Sequence, residues 1–176
     1  NQKERYIFCA NGWKLTYHKG EDLYGLDLCI ELVKRLIDQG INCSLIFTIS
    51  KLNSEGILEK NLQKIQEYNL TDYIYISTCS LPFIEVIKKS AIVLRPTNTD
   101  GDALTIREAL FFGKKVVASD VVKRPEGTIV FKTRDIKDFV AIVKNTLFEK
   151  TPIISDENKP NTDKLLAFYK NLYEEN

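Results

Sequence analysis

The sequence predicts an α/β fold built on a doubly wound, mostly parallel open sheet, and three observations carry that expectation. Short apolar runs of strand length alternate with stretches of helical periodicity, and nothing in the chain repeats. The stretch Ile92 to Ala118, IVLRPTNTDGDALTIREALFFGKKVVA, reads strand, loop, helix, glycine, strand, which is a parallel βαβ unit. A chain of 176 residues with 44% apolar content can bury a full core in one ordinary domain.

Taken in order, Arg5 to Ala10 is a β-rich run and the first strand, and Asn11 to Gly20 reads as a long polar loop. Leu26 to Leu36 carries apolar residues at helical spacing and ends near Gly40. Cys43 to Ile49 is the second strand. In Ile57 to Tyr68, residues Leu58, Leu62, Ile65 and Tyr68 fall on or near one face, so a helix is expected. Tyr73 to Ser77 alternates like a strand, and Pro82 opens a helix that runs to about Lys89. The central unit follows: strand Ile92 to Leu94, loop, helix from about Ala103 to Phe112, a stop at Gly113, and strand Val116 to Ala118. Thr128 to Phe131 makes a sixth strand, and Asp135 starts an amphipathic helix that ends at Phe148. Glu149 to Pro160 is polar and contains proline, as a linker does, and Asp163 to Tyr173 is a last helix. The whole describes a Rossmann-like sheet covered on both faces.

Composition excludes several classes. The 25 basic and 24 acidic residues nearly cancel to a net charge of +1, which leaves no global electrostatic footprint for nucleic acid. No apolar run approaches the roughly 18 to 20 residues that cross a bilayer, and the first residues, NQKERYIF, do not resemble a secretory leader, so a soluble, cytoplasmic protein is expected. Cys9, Cys29, Cys43 and Cys79 are widely spaced and form no C-x-x-C, the pattern of reduced core thiols. His18 is the only histidine, so a His-rich metal site is excluded.

In a parallel βαβ unit ligands sit beyond the carboxyl ends of the strands, which directs attention to the loop Pro96 to Asp102. Asp102 is expected as the N-cap of the following helix, whose first amides, from Ala103, Leu104 and Thr105, favour an anion. Gly101 lets a phosphate or sugar approach the backbone. Glu108 lies one turn further in; its carboxylate would repel a phosphate but accept hydrogen bonds from neutral hydroxyls. An anionic group joined to a polyhydroxylated ring is the ligand these residues describe.

Asp100 and Glu108 are separated by seven residues inside DGDALTIREALFFGKKVVASD. This segment resembles the Glu-seven-residues-Glu signature of family 4 (group 1) retaining glycosyltransferases. Read against that pattern, Asp100 takes the first acidic position, Gly101 the glycine, Leu104 the leucine, and Glu108 with Ala109 the Glu-Ala pair. Gly113 and Val116 to Ser119 take the strand that follows. The departures are Asp in place of the first Glu, and Asp102-Ala103 in place of Phe-Gly.

In that family the first loop carries an Arg and a Lys that neutralise the donor diphosphate. Here the run is CANGWKLTYHKGEDLYGLD: Gly12 takes the family's glycine and Lys14 stands near its Arg. Two alignments compete for the catalytic lysine. Lys19-Gly20 matches by residue type, whereas Tyr24-Gly25-Leu26-Asp27 matches the helix start by register, in which case Lys14, Lys19, Arg95 or Arg107 must supply the charge. Thr78 follows the third strand, where the family places its nucleobase. Each assignment has a plainer counterpart: Lys14 and Lys19 as solvated loop charges, Asp100 as an Asx-turn residue, Arg95 and Arg107 as ion-pair partners of Asp100 or Asp102. Asp100-Gly101-Asp102 also spells an Asp-x-Asp metal signature, but five residues separate its first carboxylate from the strand at Leu94, unlike that motif.

The resemblance implies half of a GT-B fold, with residues 1–149 as the nucleotide-sugar-binding domain. Residues 150–176 would be a linker and helix packing on it or on an N-terminal domain outside this chain. It implies transfer of a sugar, with retention, from a nucleoside-diphosphate sugar to a hydroxyl of a glycan or lipid-linked glycan, in surface polysaccharide synthesis, at the cytoplasmic face of a membrane. Asp100 and Lys19 would act in catalysis, without metal or cofactor; Gly12, Lys14, Thr78, Arg95, Gly101, Asp102, Ala103, Leu104, Thr105 and Glu108 would bind substrate. This half alone would turn over little. A non-catalytic sugar-nucleotide or protein-interaction module is the alternative.

Overall fold

A computed structural model describes residues 5–51, 56–79 and 81–149. The expected linker and last helix beyond Glu149 lie outside the described residues. The main strands are β1 (Tyr6–Lys14), β4 (Cys43–Lys51), β5 (Ile74–Ser77), β6 (Ile92–Arg95), β7 (Lys115–Ser119) and β8 (Thr128–Phe131). They form one six-stranded sheet in the order β5-β4-β1-β6-β7-β8, every pairing parallel. The chain winds outward from β1 through β4 to β5, then crosses back to β6 and winds the other way. The reversal between β1 and β6 opens a crevice at the carboxyl ends of those strands.

Helices α1 (Leu26–Asp38), α2 (Ile57–Glu67) and α5 (Ile136–Phe148) cover one face, and α3 (Phe83–Lys89) and α4 (Leu104–Phe111) the other. Strand alternation divides the core between the faces. Phe8, Ala10, Ile92, Leu94 and Val117 point to the larger cluster under α1 and α5; Cys9, Val93, Val116 and Ala118 point to the smaller one under α3 and α4. Phe131 stacks on Phe139 at a centroid distance of 4.2 Å and fixes α5 over β8. Full burial of each such side chain stabilises the fold by roughly 1.5–3 kcal/mol. Cys9, Cys29 and Cys43 are buried free thiols, as expected, and burial pushes the Cys9 thiol up to about 12.

Caps set the helix ends. The Asp135 carboxylate accepts from the amides of Lys137 and Asp138 at 3.0 and 3.1 Å and starts α5. Gly113, at φ 63°, ends α4: its amide donates to the Leu110 carbonyl and that of Lys114 to the Ala109 carbonyl. No described helix is long and apolar enough to cross a membrane.

The stretch expected as a polar loop, Asn11 to Gly20, differs. β1 continues to Lys14, because Asn11, Gly12 and Lys14 pair with Thr48, Ile49 and Lys51 through backbone groups that ignore side-chain polarity. Residues 17–22 then form a hairpin of β2 (Tyr17–His18) and β3 (Glu21–Asp22). Its turn is Lys19-Gly20 at φ 52° and 78°, both left-handed, as a two-residue hairpin turn demands.

Candidate functional site

Arg95, the last residue of β6, spans the crevice. Its Nη1 donates to the carbonyl and Oδ1 of Asn11, near the end of β1, at 3.4 and 3.3 Å. Its Nε and Nη2 donate to Asp100 Oδ2 and Oδ1, both at 3.0 Å, a bidentate pair. Arg124, beyond β7, donates to Asp100 Oδ2 at 2.8 Å and to the Ser119 carbonyl at 2.8 Å. Thr97 adds a fourth hydrogen bond to Asp100 at 3.1 Å. The side chains of Asp100, Arg95 and Arg124 are only 7%, 12% and 3% exposed. Burial raises the Asp100 carboxyl, but hydrogen bonds and charge from the two guanidiniums prevail and hold it below its ordinary value.

Asp100, expected to meet a donor sugar, here turns its carboxylate inward, onto two arginines. Arg95 follows the plainer alternative of an ion-pair partner. Asp102 is not the helix cap either. Ala103 occupies that position, with no side-chain cap, and the exposed Asp102 is drawn to Arg107 Nε at 2.9 and 3.1 Å. The two carboxylates of the Asp-Gly-Asp run therefore serve different arginines. Between them, Gly101 is exposed, and a β-carbon there would meet nothing within 4 Å.

The first turn of α4 carries the other expected ligand groups. Thr105 is buried, and its hydroxyl donates to Asn11 Oδ1 at 3.3 Å, tying the helix to β1. Leu104 is 67% exposed beside the uncapped amides. Glu108 is half-buried, and its carboxylate has no hydrogen bond or ion pair among the described residues.

The first loop holds the two competing segments in different places. Gly25, at φ 68°, is the N-cap of α1, so Tyr24-Gly25 holds the helix-start register and Lys19 stands at the exposed hairpin tip. The Tyr24 ring covers Gly12, where a β-carbon would lie 3.0 Å from its Cγ. The Arg95 guanidinium lies over the same ring, 5.5 Å from its centroid. Lys14, half-buried, closes β1 opposite Lys51. Thr78 is exposed just past β5, with β4 between it and β1.

The hairpin and the β6 loop are bound together. Asn98 Nδ2 donates to the carbonyls of His18 and Glu21 at 3.1 and 3.3 Å, and the Asn98 amide to the Leu23 carbonyl at 3.1 Å. Arg134 bridges Asp27, at 3.0 and 2.6 Å, and Glu21. Asp22, buried at the hairpin base, accepts from the amides of Tyr24 and Asp27 at 3.1 and 3.4 Å. Burial first, and the neighbouring Asp27 charge second, push its carboxyl from 3.8 up to about 6. An acid raised on folding contributes stability that is fully present below 3.8 and lost as pH rises through about 6. Chemical denaturation across that window is expected to show this loss in the natural protein and a flatter profile in Asp22→Asn.

Sequence reasoning missed Arg124, Asn11, Ser119 and the clamp by Asn98. Arg124 follows Lys123 in a polar run, and residue type alone does not tell which of the two cations is buried.

No family model matches the chain, and no curated protein matches it. Solved structures do. Anabaena HepE, in complex with UDP and glucose, matches at a TM-score of 0.72 and 11% identity over 97% of this chain and 47% of HepE. The C-terminal domain of a group 1 family glycosyl transferase from Francisella tularensis, LpcC, matches at 0.67 and 12%, over 82% of this chain and 76% of that one. TarM matches at 0.66 and 15%, over 80% of this chain and 28% of TarM. The chain has the fold of the C-terminal half of a GT-B glycosyltransferase. At these identities the likeness is one of fold, and the chain spans less than half the length of HepE or TarM. Within that GT-B half, the crevice between β1 and β6 is where the sheet's winding reverses.

Proposed function

We propose that this chain is the donor-binding half of a glycosyltransferase, which takes a nucleoside-diphosphate sugar and passes the sugar to a glycan hydroxyl with retention at the anomeric carbon. The observation that carries this reading is Glu108: a half-buried carboxylate without a partner among the described residues, on the helix that opens beyond the β1/β6 crossover. Such a group accepts hydrogen bonds from neutral hydroxyls, and here it would orient the ribose of the donor. The uncapped amides of α4 and the nearby cations would stabilise charge developing on the leaving diphosphate, which is electrostatic catalysis by fixed dipoles. HepE, the structural neighbour solved with UDP and glucose, makes UDP the first nucleotide to try. The acceptor, a glycan or lipid-linked glycan of a surface polysaccharide, would be held by a second α/β domain at the cytoplasmic face of a membrane.

Calorimetry with UDP and UDP-sugars tests the site. Glu108→Ala should weaken nucleotide binding about tenfold, the size of a lost hydrogen bond to a charged group; an unchanged Kd removes Glu108 from the site. A non-catalytic nucleotide-sugar-binding module is the second reading, favoured by Tyr24 in the lysine register and by the inward turn of Asp100. Sugar-nucleotide binding by the full-length protein with no hydrolysis or transfer would select it.

A further inference from the structure

The guanidiniums of Arg95 and Arg124 put two positive charges on one carboxylate, Asp100, in a setting where all three side chains are nearly closed to solvent. Their remaining acceptors among the described residues are neutral: the Asn11 and Ser119 carbonyls, the Asn11 amide oxygen, and the Thr97 and Ser119 hydroxyls. The cluster therefore carries an uncompensated positive charge at the carboxyl edge of β6 and β7. Partly buried charge of this kind is strongly attractive to an anion, because the surroundings screen it less than water does.

We propose that Arg95 and Arg124 form an anion seat that Asp100 fills in the resting protein, and that a diphosphate enters by displacing the carboxylate. The identity of that anion rests on the donor reading above. Both species are oxygen acceptors that match the planar fork of arginine, and a diphosphate brings more negative charge than one carboxylate. Gly101, next in the chain, has no neighbour that a β-carbon would touch, and a depression of about 650 Å³ beside it carries both signs of charge on its lining, Asp102 and Glu126 against Arg107, Lys123 and Arg124. Arg95 keeps its place during the exchange through Asn11 and the Tyr24 ring. The Tyr24 register thereby acquires a role: it supports the cation that stands in for the absent lysine.

The test uses inorganic pyrophosphate as the probe, followed by calorimetry at low salt. Asp100→Asn, which keeps the shape and removes the competing charge, should bind pyrophosphate about tenfold tighter than the natural protein, the scale of one close charge contact. A residue that contacts donor sugar, or one that only holds the loop, predicts the opposite sign or no change. Unchanged or weaker binding by a folded Asp100→Asn, or binding by neither protein, overturns the proposal. Where that variant lacks a cooperative melt, Thr97→Val decides. It removes one hydrogen bond from Asp100 and one neutral acceptor from Arg124 at constant charge, and should tighten pyrophosphate in the same direction by less; no tightening overturns the seat. Tighter pyrophosphate with no UDP or UDP-sugar binding to either protein keeps the seat and sinks the donor reading. UDP binding that is equal in both, with pyrophosphate unmoved, does the reverse.

Discussion

Gly25→Ala is expected to lower stability by about 3 kcal/mol or more. Gly25 holds φ 68°, and an added β-carbon would stand 2.3 Å from the Pro96 carbonyl oxygen and 2.8 Å from Pro96 Cγ. The first contact is with backbone, so no side-chain rotation relieves it, and the strain of a left-handed alanine comes on top. Gly113→Ala is the control. It shares a positive φ, 63°, but its β-carbon would meet nothing within 4 Å, so only about 1 kcal/mol is expected from the backbone alone. Urea melts with equal slopes and unequal midpoints would show the difference. Equal losses for the two alanines would mean that the approach of α1 to the β6 loop is not tight.

Arg124→Met is the second large effect, a loss of about 3 kcal/mol, in the range for removing one partner of a buried ion pair. It takes from Asp100 a hydrogen bond of 2.8 Å and from the Ser119 carbonyl another of 2.8 Å, so two buried acceptors lose a donor together. The pH profile carries a second signature. Because the guanidiniums hold the Asp100 carboxyl below its ordinary 3.8, its contribution is present above 3.8 and lost as pH falls through the lower folded value. With Arg124 gone, that acid-side loss should shrink. A stability difference between the natural protein and Arg124→Met that stays constant with pH would show that the effect is packing and not charge.

Much of the fold was legible because it rests on periodicity. Among the described residues, the six sheet strands and five helices fall close to the runs where apolar spacing puts them, and the β6-loop-α4-β7 unit was readable end to end. The hairpin was not, since Tyr17 to Asp22 carries few apolar residues and its one signal, Lys19-Gly20, is also a plausible phosphate-binding pair. The site was less legible than the fold for the same reason. Asp102 sits where a cap belongs, yet Arg107 five residues on competes for it and wins. Asp100 has the position of a sugar contact, but its partner Arg124 is 24 residues away in sequence and beyond another strand. Charge pairing across such distances leaves no periodic trace.

Asn98 links two loops that are about 80 residues apart in sequence, and it does so through main-chain oxygens of the hairpin, not through any side chain there. Side chains at 18 and 21 can therefore vary without breaking the tether, and the tip at 19 and 20 can be lengthened or exchanged while its two anchoring carbonyls stay put. The rim of the crevice is a cassette: its chemistry can be rewritten while the frame beneath it keeps its shape.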